Sequence, residues 1–132
     1  MEALRKCTEC GTEAYTREEL DDFIKNQECT YNRSNLCKPC HSLRMRKNHL
    51  KRKYNLTLMD YEHMLLTQDN KCYICRSDDT KRPSGVFVVD HCHTTGKVRH
   101  LLCDDCNLML GKAHDNVQTL QAAIKYLKGE IL

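Results

Sequence analysis

Val86-Phe87-Val88-Val89-Asp90-His91-Cys92-His93-Thr94-Thr95-Gly96-Lys97-Val98-Arg99-His100-Leu101-Leu102-Cys103-Asp104-Asp105-Cys106-Asn107 is the stretch on which the fold turns. Residues 86–91 and 97–102 are short β-prone runs, and Thr94-Thr95-Gly96 between them is a turn signal. A helix is expected from Asp104 to Gly111, where glycine suits a C-cap. Side chains alternate along a strand, so His91 and His93 should share one face, and Asp90 and Cys92 the other. A hairpin followed by a helix can bring Asp90 and Asn107 to one hard cation, Mg²⁺ or Mn²⁺, because both offer oxygen ligands. His91 would then stand beside that cation. An unperturbed imidazole, with a pKa of about 6.5, suits the removal of a proton from water at neutral pH. An Asp-His pair alone is more often a turn or surface feature, and His91 or His93 could instead be a spare zinc ligand.

Cysteines frame this stretch. Cys72-x2-Cys75 and Cys103-x2-Cys106 form one matched quartet, and Cys7-x2-Cys10 and Cys37-x2-Cys40 form a second. A lone pair at that spacing is weak evidence, whereas two pairs complete a tetrahedral Zn²⁺ site. Four thiolates leave no open coordination position, so both zincs should be structural. Residues 1–6 carry no apolar run, so nothing suggests secretion and a disulfide framework. No stretch approaches the roughly 18 apolar residues of a membrane span, and a cytoplasmic protein is expected. Two of the ten cysteines fall outside the quartets. Cys29 could replace a ligand of the first site, as could His41. Cys92 reads as a small half-buried hydrophobe.

The rest of the chain divides around these anchors. Thr16-x-x-Glu19 reads as a capping box, opening a short helix with Leu20, Phe23 and Ile24 as its stripe. A second helix is expected from Leu58 to Thr67, with Leu58, Tyr61 and Leu65 facing inward. A last helix, from Asn116 to Lys128, carries Val117, Leu120, Ile124 and Leu127 as a core-facing stripe. The domain reading is therefore a four-cysteine zinc module over 1–42, a basic linker helix over 43–56 and a third domain over 57–132.

The net charge of +3 hides an asymmetry. Between Cys29 and Met59 stand Arg33, Lys38, Arg44, Arg46, Lys47, Lys51, Arg52 and Lys53, with no acid among them. A basic segment on a mildly acidic body is the electrostatic footprint of a nucleic-acid binder. A solvated helix face is the plainer alternative. Arg44, Arg46, Lys47, Lys51, Arg52 and Lys53 are the candidate phosphate contacts.

Residues 54–128 resemble the recombination endonuclease VII branch of the HNH nucleases, found largely in bacteriophages. The resemblance is carried by Tyr54-Asn55-Leu56-Thr57, Tyr61, Met64-Leu65, Gln68 and Cys72-Tyr73-Ile74-Cys75. It continues through Val89-Asp90-His91-Cys92-His93, Thr95-Gly96-Lys97-Val98-Arg99, Leu101 to Asn107 and Leu110-Gly111. The cysteine-rich basic residues 1–53 also look like an N-terminal extension of some phage members.

The resemblance implies a small α+β protein, zinc-stabilised, with a ββα-metal (His-Me finger) nuclease domain. It implies a phage-encoded DNA endonuclease acting on double-stranded DNA in the host cytoplasm, by nicking or double-strand cleavage, and homing-type in one version. Asp90 and Asn107 would hold the catalytic Mg²⁺ or Mn²⁺, His91 would activate water and His93 would assist at the phosphate. Cys72, Cys75, Cys103 and Cys106 would hold zinc. The family's branched-DNA resolvase has an acid three positions after the matching Asn, where this chain has Leu110, and forms an intertwined dimer through long helices. Junction resolution is thus a secondary alternative, a catalytically silent zinc-finger DNA-binding protein is the alternative outside the enzymes, and the chain could be monomer or homodimer. His100 stands where such sequences usually have glycine.

Overall fold

The structure is a computed structural model that describes residues 1–130. The chain is a small α+β protein made of two compact units, Met1–Thr57 and Leu58–Leu132.

In the first unit, β1 (Arg5–Lys6) pairs antiparallel with β2 (Glu13–Ala14), and β3 (Phe23–Lys25) pairs antiparallel with β4 (Arg33–Cys37). The 17-residue helix α1 (Lys38–Tyr54) follows β4 without a break. It begins inside the second cysteine pair, with Pro39 in its first turn, where the missing N–H costs nothing. Asn55 ends it in the left-handed conformation (φ +55°), returning its N–H to Leu50 and Lys51. The basic residues therefore lie on a helix that grows out of the N-terminal unit.

The core of this unit is Cys7, Ala14, Leu20, Phe23 and Cys37, with Leu4, Leu36 and Cys40 packed against it. Leu20 and Phe23 were expected on a helix. The capping box does form, because the Thr16 amide donates to Glu19 Oε2 at 3.1 Å and the Glu19 amide to Thr16 Oγ1 at 3.2 Å. What it opens is a single 3-10 turn, Glu19–Asp22, after which Phe23-Ile24-Lys25 leaves as a strand. Pairing with β4 outweighs the weak helical preference of Phe and Ile, and both apolar anchors are still buried.

The second unit begins with α2 (Leu58–Thr67), whose Tyr61 is buried and donates its hydroxyl to the Phe87 carbonyl at 2.9 Å. A hairpin of β5 (Val88–His91) and β6 (Val98–Leu102) follows, then α3 (Asp104–Lys112) and α4 (Val117–Leu127). The helix α2 packs on β6, and α3 packs on β5. Phe87, Val89, Leu101 and Leu102 are buried, each contributing roughly 1.5–3 kcal/mol.

Gln68 joins α2 to the hairpin. Its Nε2 donates to the Leu101 carbonyl and its Oε1 accepts from the Leu101 amide, both at 2.9 Å. A side-chain amide thereby does for β6 what a neighbouring strand would do.

The stripe on α4 departs from expectation. Val117, Ile124 and Leu127 are 60%, 53% and 83% exposed, and the helix has no buried residue. The 3.6-residue period identifies a helix with one apolar side, but it carries no information on what covers that side.

Candidate active site and metal centres

The two cysteine quartets are built alike. In each, one pair lies on a tight knuckle and the other at the start of a helix. The first knuckle closes where the Gly11 amide donates to the Cys7 carbonyl at 3.0 Å, with Gly11 in the left-handed region (φ +79°). The second closes through the Arg76 amide to the Cys72 carbonyl, also at 3.0 Å, with Arg76 at φ +61°. Cys37 and Cys103 are the N-cap residues of α1 and α3, and Cys40 and Cys106 occupy their first turns.

The sulfurs fit a metal. Within each quartet all four ligand atoms lie within 4.8 Å of one another. Cys10 and Cys37 are 3.6 Å apart and Cys75 and Cys103 3.8 Å apart, whereas a disulfide is about 2.05 Å. A tetrahedron with bonds of about 2.3 Å has edges of about 3.8 Å.

Electrostatics agree with geometry. Cys7 is drawn down to about 6 by the backbone amide of Cys10, then that of Cys37. Burial opposes ionisation of Cys72, but the amides of Cys103, Cys75 and Ile74 bring it down to about 6. Cys40 is pushed up, chiefly by Cys37 and Cys10, and Cys106 is pushed up by burial and then by Cys103 and Cys72. Four thiols this close cannot all ionise unless a cation joins them, and a soft, tetrahedral sulfur set suits zinc. Cys29 and His41 lie outside both quartets.

Between Cys75 and Cys103 the hairpin carries the oxygen and nitrogen donors. Asp90 stands where the register shifts between Val89 and His91, a bulge in which Arg99 and His100 of β6 together oppose this one residue of β5. It is 6% exposed. Arg99, on the opposite strand, holds it in a fork. Arg99 Nε donates to Asp90 Oδ2, and Nη2 donates to Asp90 Oδ1 at 3.0 Å. The same Nη2 reaches the His91 carbonyl and Asp115 Oδ2, each at 3.3 Å. The Asp90 carboxylate, then Asp115, hold the Arg99 guanidinium above its ordinary range.

His91 is half-buried and His93 exposed. Their rings are 4.8 Å apart and tilted by 51°. This neighbourhood comes from the turn, because β5 ends at His91 and the chain folds back through Cys92–Lys97. The Cys92 amide donates to the Lys97 carbonyl at 2.8 Å, and the amide of Gly96, at φ +73°, donates to the Cys92 carbonyl at 2.7 Å. Cys92 is thus a half-buried turn residue. Its thiol is drawn down to about 7 by the Thr95 side chain and then the Thr95 and Thr94 amides. Asn107 is half-buried on α3, one residue after Cys106, on the helix that packs against β5. A buried carboxylate on β5 and a carboxamide on α3 are the hard donors that a small divalent cation takes.

The basic candidates all lie on α1. Arg44 is ion-paired with Glu9, while Lys47, Lys51, Arg52 and Lys53 belong to the same exposed, acid-free helix. Three features had no assigned role in the sequence. Arg99 joins Asp90 to Asp115, an arrangement visible only once the hairpin register is known. His100 stacks on Tyr73, their rings parallel and 3.7 Å apart, because the Tyr73 amide is bonded to the Leu101 carbonyl at 3.1 Å. That stacking gives His100 a physical role that glycine could not fill.

The hairpin, framed by a four-cysteine cluster able to hold zinc, closed by a helix and carrying Asp-His on its first strand, lies within the part of the chain that a nuclease family's model spans. The chain belongs to the recombination endonuclease VII family, whose model matches residues 47–129. It is 43% identical over 76 residues to the Gene 59 protein of Mycobacterium phage D29, covering 57% of this chain and 45% of that protein. The Gene 59 protein of Mycobacterium phage L5 is 40% identical over 75 residues, covering 56% and 44%. The matched region thus spans a little under half the length of these phage relatives. The chain is also similar to the ββα-Me type II restriction endonuclease Hpy99I, at 27% identity and a TM-score of 0.38, covering 93% of this chain and 64% of that one. Among the described residues no helix is long and apolar enough to cross a membrane.

Proposed function

We propose that this chain hydrolyses phosphodiester bonds of double-stranded DNA with the help of Mg²⁺ or Mn²⁺. The observation that carries this reading is membership of the endonuclease VII family across a hairpin and helix that bear Asp90, His91 and Asn107. In this reading Asp90 and Asn107 hold the divalent cation, which when bound supplies a Lewis acid for the charge developing on phosphate. His91 takes the proton from the attacking water, and neighbouring His93 donates to a phosphate oxygen. The zinc quartet of Cys72, Cys75, Cys103 and Cys106 keeps strand and helix in register, as a site this small requires.

The second quartet, Cys7, Cys10, Cys37 and Cys40, holds the base of α1. Arg46, Lys47, Lys51, Arg52 and Lys53 meet DNA phosphates without reading sequence, and Arg44 joins them if it leaves Glu9. The unit boundary at Thr57 supports reading residues 57–132 as the nuclease domain, whereas the expected boundary between a zinc module over 1–42 and a linker helix falls inside α1. Phage relatives support action in a bacterial host cytoplasm.

Supercoiled plasmid incubated with Mg²⁺ or Mn²⁺ tests the reading, with wild type, His91→Ala and an EDTA control compared at equal zinc content. Open circles or linear product from the wild type, reduced about 10²–10⁴-fold in His91→Ala, are expected. Intact plasmid under every cation, with tight DNA binding, would instead identify a zinc-finger binding protein. Preferential cutting of four-way junctions would identify a resolvase.

A further inference from the structure

Asp90 is already engaged by a cation that belongs to the chain. Arg99 takes both of its oxygens, and the pair is only partly solvated, with side-chain exposures of 8% for Asp90 and 35% for Arg99. Yet Arg99 is not committed to Asp90 alone. Its Nη2 carries two hydrogens and faces three acceptors, Asp90 Oδ1, Asp115 Oδ2 and the His91 carbonyl, so its bonds are shared. Asp115 comes from the α3–α4 connection, where His114 and Asp115 both adopt positive φ (+53° and +54°). Arg99 thus stands between two carboxylates brought from different elements.

We infer that Arg99 is a latch, competing with the divalent cation for Asp90, and that Asp115 is the acceptor to which it moves when the cation arrives. The inference rests on the reading of Asp90 as a divalent-cation ligand. Two cations on one carboxylate repel at short range, and the partly buried setting screens them less than open water would. Moving the guanidinium toward Asp115 keeps it paired while freeing Asp90. The exposed third of Arg99 gives it room to move. Asp115 thus acts through Arg99, and Arg99 through Asp90. Both are positioning residues that set how readily the site takes its metal.

Binding of Mn²⁺ alone to the zinc-loaded chain, followed by calorimetry or Mn²⁺ electron paramagnetic resonance, tests the latch. Arg99→Gln is expected to bind Mn²⁺ about tenfold more tightly than wild type and Asp115→Asn about tenfold more weakly. The double variant should match Arg99→Gln, since Asp115 has no route to the metal without Arg99. Weaker or unchanged binding by Arg99→Gln overturns the latch, because a mere buttress for Asp90 loses affinity when removed.

Asp90→Asn separates the latch from the ligand reading beneath it. If Mn²⁺ binding disappears in Asp90→Asn but Arg99→Gln does not tighten it, the latch alone fails. If binding survives Asp90→Asn, the cation-ligand reading fails and the latch with it. Should Arg99→Gln not fold, by melting and zinc content, Arg99→Lys removes the fork and keeps the charge. It is expected to shift affinity in the tightening direction, and a weakening or no shift overturns the latch.

Discussion

The two cysteine quartets share one construction and carry different loads. The first sits in a small core that joins two of its own ligands, Cys7 and Cys37, to Ala14, Leu20 and Phe23. What leaves it is a helix of 17 residues with a run of positive charge. The second buries three of its own ligands, Cys72, Cys103 and Cys106, in a unit whose core also holds Tyr61, Phe87, Val89, Leu101 and Leu102, stitched by Gln68. What leaves it is a helix of 9 residues that carries Asn107 against the Asp90 strand. The same staple thus has a smaller apolar set beside it in the first unit (Ala14, Leu20, Phe23) than in the second.

The sharpest way to break this comparison is to remove the matching helix-capping ligand from each quartet. Cys103→Ser keeps an oxygen to cap α3 but loses a soft ligand. Native mass spectrometry should show one zinc fewer and plasmid cleavage should fall at least about 10²-fold, the scale of misplaced catalytic groups. Cys37→Ser should also cost one zinc, but with the larger structural loss. Hydrogen exchange should report opening of residues 1–37 while Leu101 and Tyr61 amides stay protected. Equal loss of protection in both units would refute the contrast.

A smaller effect is expected from the first unit's load. Replacing Lys51, Arg52 and Lys53 by Gln should weaken DNA binding and flatten its salt dependence by about 0.9 log units per lost phosphate contact. Zinc content should not change. An unchanged slope would mean that this run is a solvated face.

Gln68→Leu probes the larger apolar set of the second unit. It leaves the buried Leu101 amide without its side-chain partner, at about 1–3 kcal/mol, while the Leu101 carbonyl keeps the Tyr73 amide; the loss reads as a drop in melting temperature. The smallest expected effects lie in the knuckles. Gly11→Ala should destabilise by about 1 kcal/mol, because φ +79° disfavours any Cβ, and Arg76→Gly should stabilise by a similar amount. Scanning calorimetry on the zinc-loaded protein measures both.

Much of this was legible in the sequence, for identifiable reasons. Residues 58–67 repeat their apolar positions at helical spacing, and α2 has those bounds. Cysteine spacing selects the quartets, because a Cys-x2-Cys bite is a local property. The residues after Thr16 misled because a capping box announces only the first turn, and strand pairing with residues far along the chain decided the rest. Arg99 and Asp115 were silent for the same reason, since the meeting of Arg99 with Asp90 depends on hairpin register and its meeting with Asp115 on the turn before α4. The stripe on α4 was correctly periodic and wrongly partnered.

Asn107 directly follows Cys106 within the first turns of α3. One residue inserted between Cys103 and Asn107 would swing the carboxamide by about 100° around the helix axis and advance it by about 1.5 Å. The segment is therefore a ruler of fixed length, with the metal site marking its origin. The loop from Asp78 to Val86 carries no such measure, since it is joined to the rest chiefly through Thr80, whose carbonyl accepts from the Asp104 amide at 2.9 Å. Relatives that grow or shrink should do so there, and relatives that change length across 103–107 should have surrendered the chemistry.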